Sequence, residues 1–425
     1  MRGRRIGRSI SAAVFCAVAL VHLGGCGDDD GNAVSRPRDA GLGASDAGFD
    51  EASVTFPDAA AADSGVFSIV DVADTACAAR GGSMKEVYAA DATTFRPQRV
   101  LAVGARRAVL MDDGFVLMDA DGANASPALV TSPFALTSLA STPTNLFGVG
   151  GPAQNLQAVR FDSAGAAQPP IDVAPASTGS GAGGGGGTAL LAWVEGTSLR
   201  AGAFNADGSP VAPSFYFRQN LAENETSSFD VVHAKAEEYG VAFVGQRAGA
   251  YRLVFTRVST SARVGTSFTI LSGNTPLRLI QIAHAGTGFA LLVERRPTAS
   301  TRETLVIRLD ESGKLAGPAL RLLGVRSAFG IASSGGELGV LAWRVRGGAD
   351  AGPVDEPEPD AIEFRPFDAA GMALGPWVCV DAPFTVPTVD VGAAILGEDA
   401  GYSVIVRTPS HAVSLARFDR RGTGG

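Results

Sequence analysis

Histidine and cysteine occur four times each in 425 residues, and lysine is scarce. There is no Cys-x-x-Cys pair, no His-Glu-x-x-His and no Gly-x-Ser-x-Gly. The local signatures of a redox dithiol, a helical zinc site and a hydrolase nucleophile elbow are therefore missing. No apolar run is long enough for a comfortable membrane span, since the longest, Ile10 to Leu23, is short and rich in small residues. Positive charge is also lacking. The formal net charge is −8, and removing Arg2, Arg4, Arg5 and Arg8 with the N-terminal segment leaves about −12. Nucleic acid, whose phosphates need Lys/Arg neutralisation, is not an expected partner. Charged residues make up 18% of the chain, modest enough to permit a large buried core.

What is present begins with an export signal. Residues 1–25 combine a basic start with the uncharged run Ile10 to Leu23. They end in Leu23-Gly24-Gly25-Cys26, which resembles the lipobox of bacterial lipoproteins. The resemblance implies cleavage before Cys26, acylation of its thiol and stable anchoring by several acyl chains. Gly27, where an aspartate would signal retention, implies the outer membrane of a Gram-negative bacterium. Residues 26–64 are rich in Asp, Ala, Gly and Ser, with almost no aromatic residues, and read as a disordered tether. Residues 65–425 are the expected folded domain.

That domain is built on one recurring turn. Asp310 and Gly313 frame a β-turn in which Asp bonds backbone N–H groups and Gly supplies positive φ. The frame recurs at Asp119/Gly122, Asp162/Gly165, Asn205/Gly208, Asp368/Gly371 and Asp419/Gly422, with a weakened copy at Ser259/Ala262. Five copies place proline five residues after the glycine: Pro127, Pro170, Pro213, Pro318 and Pro376. Proline there marks an outer, solvent-edge strand; the weakened copy has Ser267 instead. The residue before each Asp position is apolar, and the one before that is Arg at 160, 257, 308 and 417. Those arginines are expected at a solvated rim.

The period, roughly 43 to 58 residues, is that of propeller blades with four strands each. In repeat length and strand plan the chain resembles WD40- and kelch-type propellers, without the Trp-Asp or Gly-Gly signature of either, so architecture alone carries over. The expected fold is all-β: a seven-bladed β-propeller closed by an N-terminal strand, preceded by a disordered tether. A string of β-sandwich domains is the alternative. Because the seventh turn ends at Gly422, the apolar strand from Val66 to Val72 is expected to complete the last blade and close the ring. That would bring Cys77 near Cys379, and export makes a disulfide between them reasonable. The Gly/Ser stretch 178–187 reads as a flexible loop, lacking the Lys-Ser/Thr of a phosphate cradle. The acidic, proline-rich stretch 347–361 reads as a solvated loop between strands two and three of blade six.

His233 and His284 occupy matching positions in the first strands of blades four and five, which line the central channel. They are candidates for a channel site, although no third metal ligand follows from spacing. His411 falls in a polar turn. No catalytic set, metal or cofactor is expected. The function expected is a monomeric, envelope-anchored lipoprotein whose non-catalytic propeller binds or scaffolds a protein or glycan. The alternative is a propeller enzyme, a glycan lyase or hydrolase, with its site at the channel mouth.

Overall fold

Seven Asp/Asn-to-Gly frames become seven identical turns, and the architecture follows from them. In the computed structural model each turn closes with the same two backbone bonds. Asp310 N–H donates to Lys314 O at 2.8 Å and Gly313 N–H donates to Asp310 O at 3.0 Å, and the other six copies repeat the pattern. The fourth turn residue has positive φ in every copy, from 62° at Ala262 to 93° at Gly313. Six of the turns join the third and fourth strands of a sheet, as expected, and the seventh follows the third strand of blade seven. The apolar residue entering it is buried in all seven: Met118, Phe161, Phe204, Val258, Leu309, Phe367 and Phe418.

The structure describes residues 67–423 apart from 74–76, 78–83, 90–96, 112–113, 124–128, 152–154, 176–178, 197, 219–227, 248, 299–300, 346–359, 381–391 and 408–411. The chain divides at Val54/Thr55 into two units, the first of which lies wholly outside the described residues. The signal, Cys26, the tether up to residue 64, His411 and most of the 347–361 stretch also fall outside them.

Every regular element among the described residues is a β-strand. Seven sheets occupy residues 99–131, 136–174, 180–218, 228–273, 277–322, 325–379 and 393–419, each strand antiparallel to the one before it. First strand packs against first strand from blade one through blade seven, and blade seven's returns to blade one's. This is a closed seven-bladed β-propeller. Its core lies between blades, where clusters such as Phe255, Phe289, Ile307 and Leu309 join one sheet to the next. Burial of this kind is the main stabilising term of the fold.

Closure comes from the N-terminus, but from a different segment than the apolar pattern suggests. Lys85–Ala89 pairs antiparallel with Ala412–Asp419 and is the outer strand of blade seven. Ile69–Val72 instead adds a fifth strand, parallel, to blade five, pairing with Ala319–Leu322. Arg321 clamps it, donating from Nε and Nη2 to the two Asp71 carboxylate oxygens at 2.6 and 2.7 Å. Blade seven needs only one inward apolar side chain from its outer strand, and Val87 supplies it, packed with Leu415. So short a strand leaves almost no periodic signal. Between the two strands Cys77 is disulfide-bonded to Cys379 in the outer strand of blade six, with Cα atoms 5.4 Å apart. Arg365 of blade six donates to Ala73 O at 3.1 Å. The described residues between 67 and 89 thus touch blades five, six and seven in turn.

Two further expectations are corrected. The Gly/Ser stretch is no loop: Ser180–Gly185 is the innermost strand of blade three. Space decides this. A Cβ on Gly184 would sit 2.0 Å from Ser141 O of blade two, and one on Gly183 would sit 2.7 Å from Val231 O of blade four. Backbones approach so closely here that only glycine fits. The repeat arginines, expected at a solvated rim, reach forward to the next blade. Arg160 donates to Ala206 O at 3.3 Å, Arg257 to Glu311 O at 3.2 Å, Arg308 to Ala369 O at 2.8 Å, and Arg417 to Ala120 O. Each acceptor is the second residue of the following blade's turn. Its carbonyl takes no part in the two turn bonds and is free to accept.

Candidate functional site

Three places around the ring gather chemistry-bearing side chains. The first is the channel at the end where first strands begin. A cavity of about 150 Å³ is lined there by residues of six blades, among them Arg99, Ser138, Ser180, Asp230, Gln281 and Phe329. Arg99 of blade one reaches Asp230 of blade four, Nη1 to Oδ1 at 2.7 Å, across three intervening interfaces. Asp230 is buried, and its other bonds come from the backbone N–H groups of Val231 and Ile282, both at 2.9 Å. Side chains elsewhere in this layer stitch neighbours together: Ala182 N–H donates to Ser138 Oγ at 3.0 Å, and Ile331 N–H to Gln281 Oε1 at 3.1 Å. Satisfied in this way, Asp230 is a strut across the channel rather than a free acid.

The histidines lie at the opposite ends of the first strands, near the hairpins to the second strands. His233 is half-buried, with Nε2 3.0 Å from Ala236 O and its ring edge-on to Tyr239. Its other side leans on blade three, where a Cβ on Gly185 would meet Nδ1 at 2.3 Å. His284 makes the matching ring contact with Phe289. Burial, then the positive charges of His233 and Lys235, hold the His284 imidazole below its ordinary pKa. The two are electrostatic neighbours, but His233 is committed to packing between blades. A three-ligand cluster among the described residues exists elsewhere, at Cys77, Glu363 and Cys379. There the two sulfurs are bonded to each other and the Glu363 carboxylate pairs with Arg344 at 2.5 Å, which leaves no thiolate for a metal.

The third place is a groove of about 950 Å³ on the turn-bearing face of blade four. Its floor is Val258, Val264 and Phe268. Lys235, Arg257, Arg263 and Lys314 line it, with Glu237 and Glu238 as lining acids. Lys235 pairs with Glu311 and Arg257 with Glu238. Arg263 and Lys314 are exposed, with no ion-pair partner among the described residues. In blade five the equivalent notch, beside Arg308 and Leu309, measures only about 150 Å³.

The backbone at this groove is also unusual. Ala236 (φ 47°) and Ala262 (φ 62°) are the non-glycine residues with positive φ among those described. Ala236 lines the groove, and Ala262 lies between the lining residues Ser261 and Arg263. The first hairpins of blades one, three, five and six use Gly104, Gly186, Gly286 and Gly335 at positive φ, where blade four has Ala236. Blade four has therefore given up glycine at both turns of one face. The sequence carries this signal as the weakened repeat at Ser259/Ala262, which reads from sequence as decay of the motif rather than as a site.

No protein-family model matches the chain, and no curated protein matches it. Among solved structures, the chain is similar to the AfRom2 CNH domain at 13% identity and a TM-score of 0.44, covering 79% of this chain and 99% of that one. A prolyl endopeptidase is similar at 11% identity and a TM-score of 0.49, with 78% of this chain and 48% of that chain covered. Kuenenia stuttgartiensis hydrazine synthase is similar at 11% identity and a TM-score of 0.41, over 76% and 77% respectively. The seven-bladed ring itself rests on the strand pairing described above.

Proposed function

We propose that this protein is an envelope-anchored lipoprotein whose propeller is a binding or scaffolding module for a protein or glycan, and that the blade-four groove is the binding surface. The anchor at Cys26, the tether and the outer-membrane location are supported by the lipobox resemblance and by Gly27. The binding reading is carried by one observation: the large groove coincides with the one blade whose two turns on that face hold alanine in left-handed backbone. Strained backbone of this kind, costing about 1–3 kcal/mol, persists where the surroundings enforce it and clusters at functional sites. A large concavity with an apolar floor and a few convergent charges is the ordinary form of a binding site.

The test uses the full chain and its Cys26→Ser variant. A palmitate analogue is expected to label the parent and not the variant. Envelope extract passed over the immobilised protein is expected to yield one stoichiometric partner, retained less well when Arg263 and Lys314 are both changed to Glu. Turnover of an envelope glycan with no retained partner would overturn the binding reading in favour of an enzyme.

A further inference from the structure

Outer strands of a propeller present open edges, and this chain guards most of them. The outer strands of blades one, two, three and six are two to four residues long: Val130–Thr131, Ile171–Ala174, Phe215–Arg218 and Val378–Cys379. Pro127, Pro170, Pro213 and Pro376 precede them, one to three residues ahead of the strand. Short strands and proline are the usual protections against adventitious pairing. Blade five has Pro318 and is in addition covered by Ile69–Val72. Blade seven's outer strand, Lys85–Ala89, has no proline but carries the exposed charges Lys85 and Glu86. Blade four is the exception. Its outer strand, Phe268–Gly273, is six residues long and uncharged, and Ser267 stands where proline would be. The strand is the open edge of its sheet. Gly265, Thr266 and Phe268, which lead into it, also line the groove.

We infer that the edge of blade four, with the adjoining groove, takes an extended acidic segment of a partner protein as a fifth strand. This rests on the reading of the groove as a binding surface and names the chemistry of its occupant. The chain supplies its own example one blade away. There the added strand Ile69-Val70-Asp71-Val72 joins an outer edge, and its single acidic residue is gripped by Arg321. Backbone bonds supply affinity in such strand addition, and side chains supply selectivity. Blade four and the adjoining turn of blade five offer the matching cations. Arg263 and Lys314 stand exposed at the start of the edge, and Arg252 lies in register with Ser272 near its end. None of the three has an ion-pair partner among the described residues, in a chain whose net charge is −8. Acidic residues would be attracted to these cations, and complementary charge sets register as well as on-rate.

The experiment is fluorescence anisotropy of a labelled peptide alternating valine and aspartate, titrated with the full-length protein. Saturable binding that weakens with added salt is expected. The double variant Arg263→Glu/Lys314→Glu should bind about tenfold or more weakly. Arg421→Glu, an exposed cation in the turn of blade seven, should bind as the parent does. No saturation at about millimolar protein, or equal affinity in the double charge variant, would overturn the inference. So would a dimer in sedimentation that the charge variant splits, because the occupant would then be a second copy of this chain. A partner recovered from envelope extract that still binds the charge variant would leave the binding-module reading standing while the acidic-strand inference fell.

Discussion

Ala262→Gly should make the protein more stable, against the usual sense of a glycine substitution. Six turns place glycine at this position with φ between 73° and 93°, and the seventh places alanine at 62°. An L-residue in the left-handed region costs about 1–2 kcal/mol, because Cβ crowds the neighbouring carbonyl. Replacing alanine by glycine widens the unfolded ensemble and returns about 0.4–1 kcal/mol of that gain. The net expectation is stabilisation by about 0.5–1 kcal/mol, or a rise of about 1–3 °C in a domain of this size. The opposite change at the parallel position, Gly313→Ala, adds a second cost. Its Cβ would lie 2.7 Å from Phe255 Cδ1 and Cε1 and 3.2 Å from Phe268 Cδ2. Strain and overpacking together should destabilise by about 2–4 kcal/mol. Urea unfolding followed by intrinsic fluorescence measures both variants on one scale. If Ala262→Gly is neutral or destabilising, or if Gly313→Ala is silent, then the turns are not equivalent and the strain argument fails. A gain in stability accompanied by weaker peptide binding would tie the strain directly to the groove.

Gly184→Ala should cost about 2–4 kcal/mol, since the new methyl meets Ser141 O, whereas Gly273→Ala, which meets nothing within 4 Å, should stay within about 0.5 kcal/mol; paired urea melts decide. Asp230→Ala leaves the Arg99 guanidinium without its partner at the channel and should cost about 3–5 kcal/mol, part of it recovered by adding Arg99→Met in a double-mutant cycle. Cys379→Ser, or reduction of the parent, removes a cross-link closing 302 residues and should lower stability by about 2–5 kcal/mol, read as a shift in the urea midpoint with and without reductant. His284 titrates below its ordinary 6.5 in the folded state. The unfolded chain therefore binds the proton first, so stability is complete above pH 6.5 and falls as the pH drops towards the lowered value. His284→Asn should flatten that part of the stability–pH curve.

The parts of this protein legible from sequence are those set by neighbours along the chain. An Asp-to-Gly turn is decided within four residues by side-chain bonding to backbone and by tolerance of positive φ. Its sevenfold recurrence therefore announced the blades, their strand order and the buried residue at each turn. The pairing of Cys77 with Cys379 was also within reach, because a ring closed from the N-terminal side was expected to bring the two together. What tertiary structure alone decided is set by residues far apart. Ser180–Gly185 is a strand because backbones from blades two and four close in on it, and no local pattern encodes that crowding. Lys85–Ala89 closes the ring, with Val87 packed on Leu415, while the more apolar Ile69–Val72 goes to blade five, where Arg321 waits for Asp71. Arg99 and Asp230 meet across 131 residues of sequence, and the groove brings together the turn that holds Ala236 and the turn that holds Ala262. Local conformational preference wrote the repeat; its irregularities became a surface only when the ring brought them together.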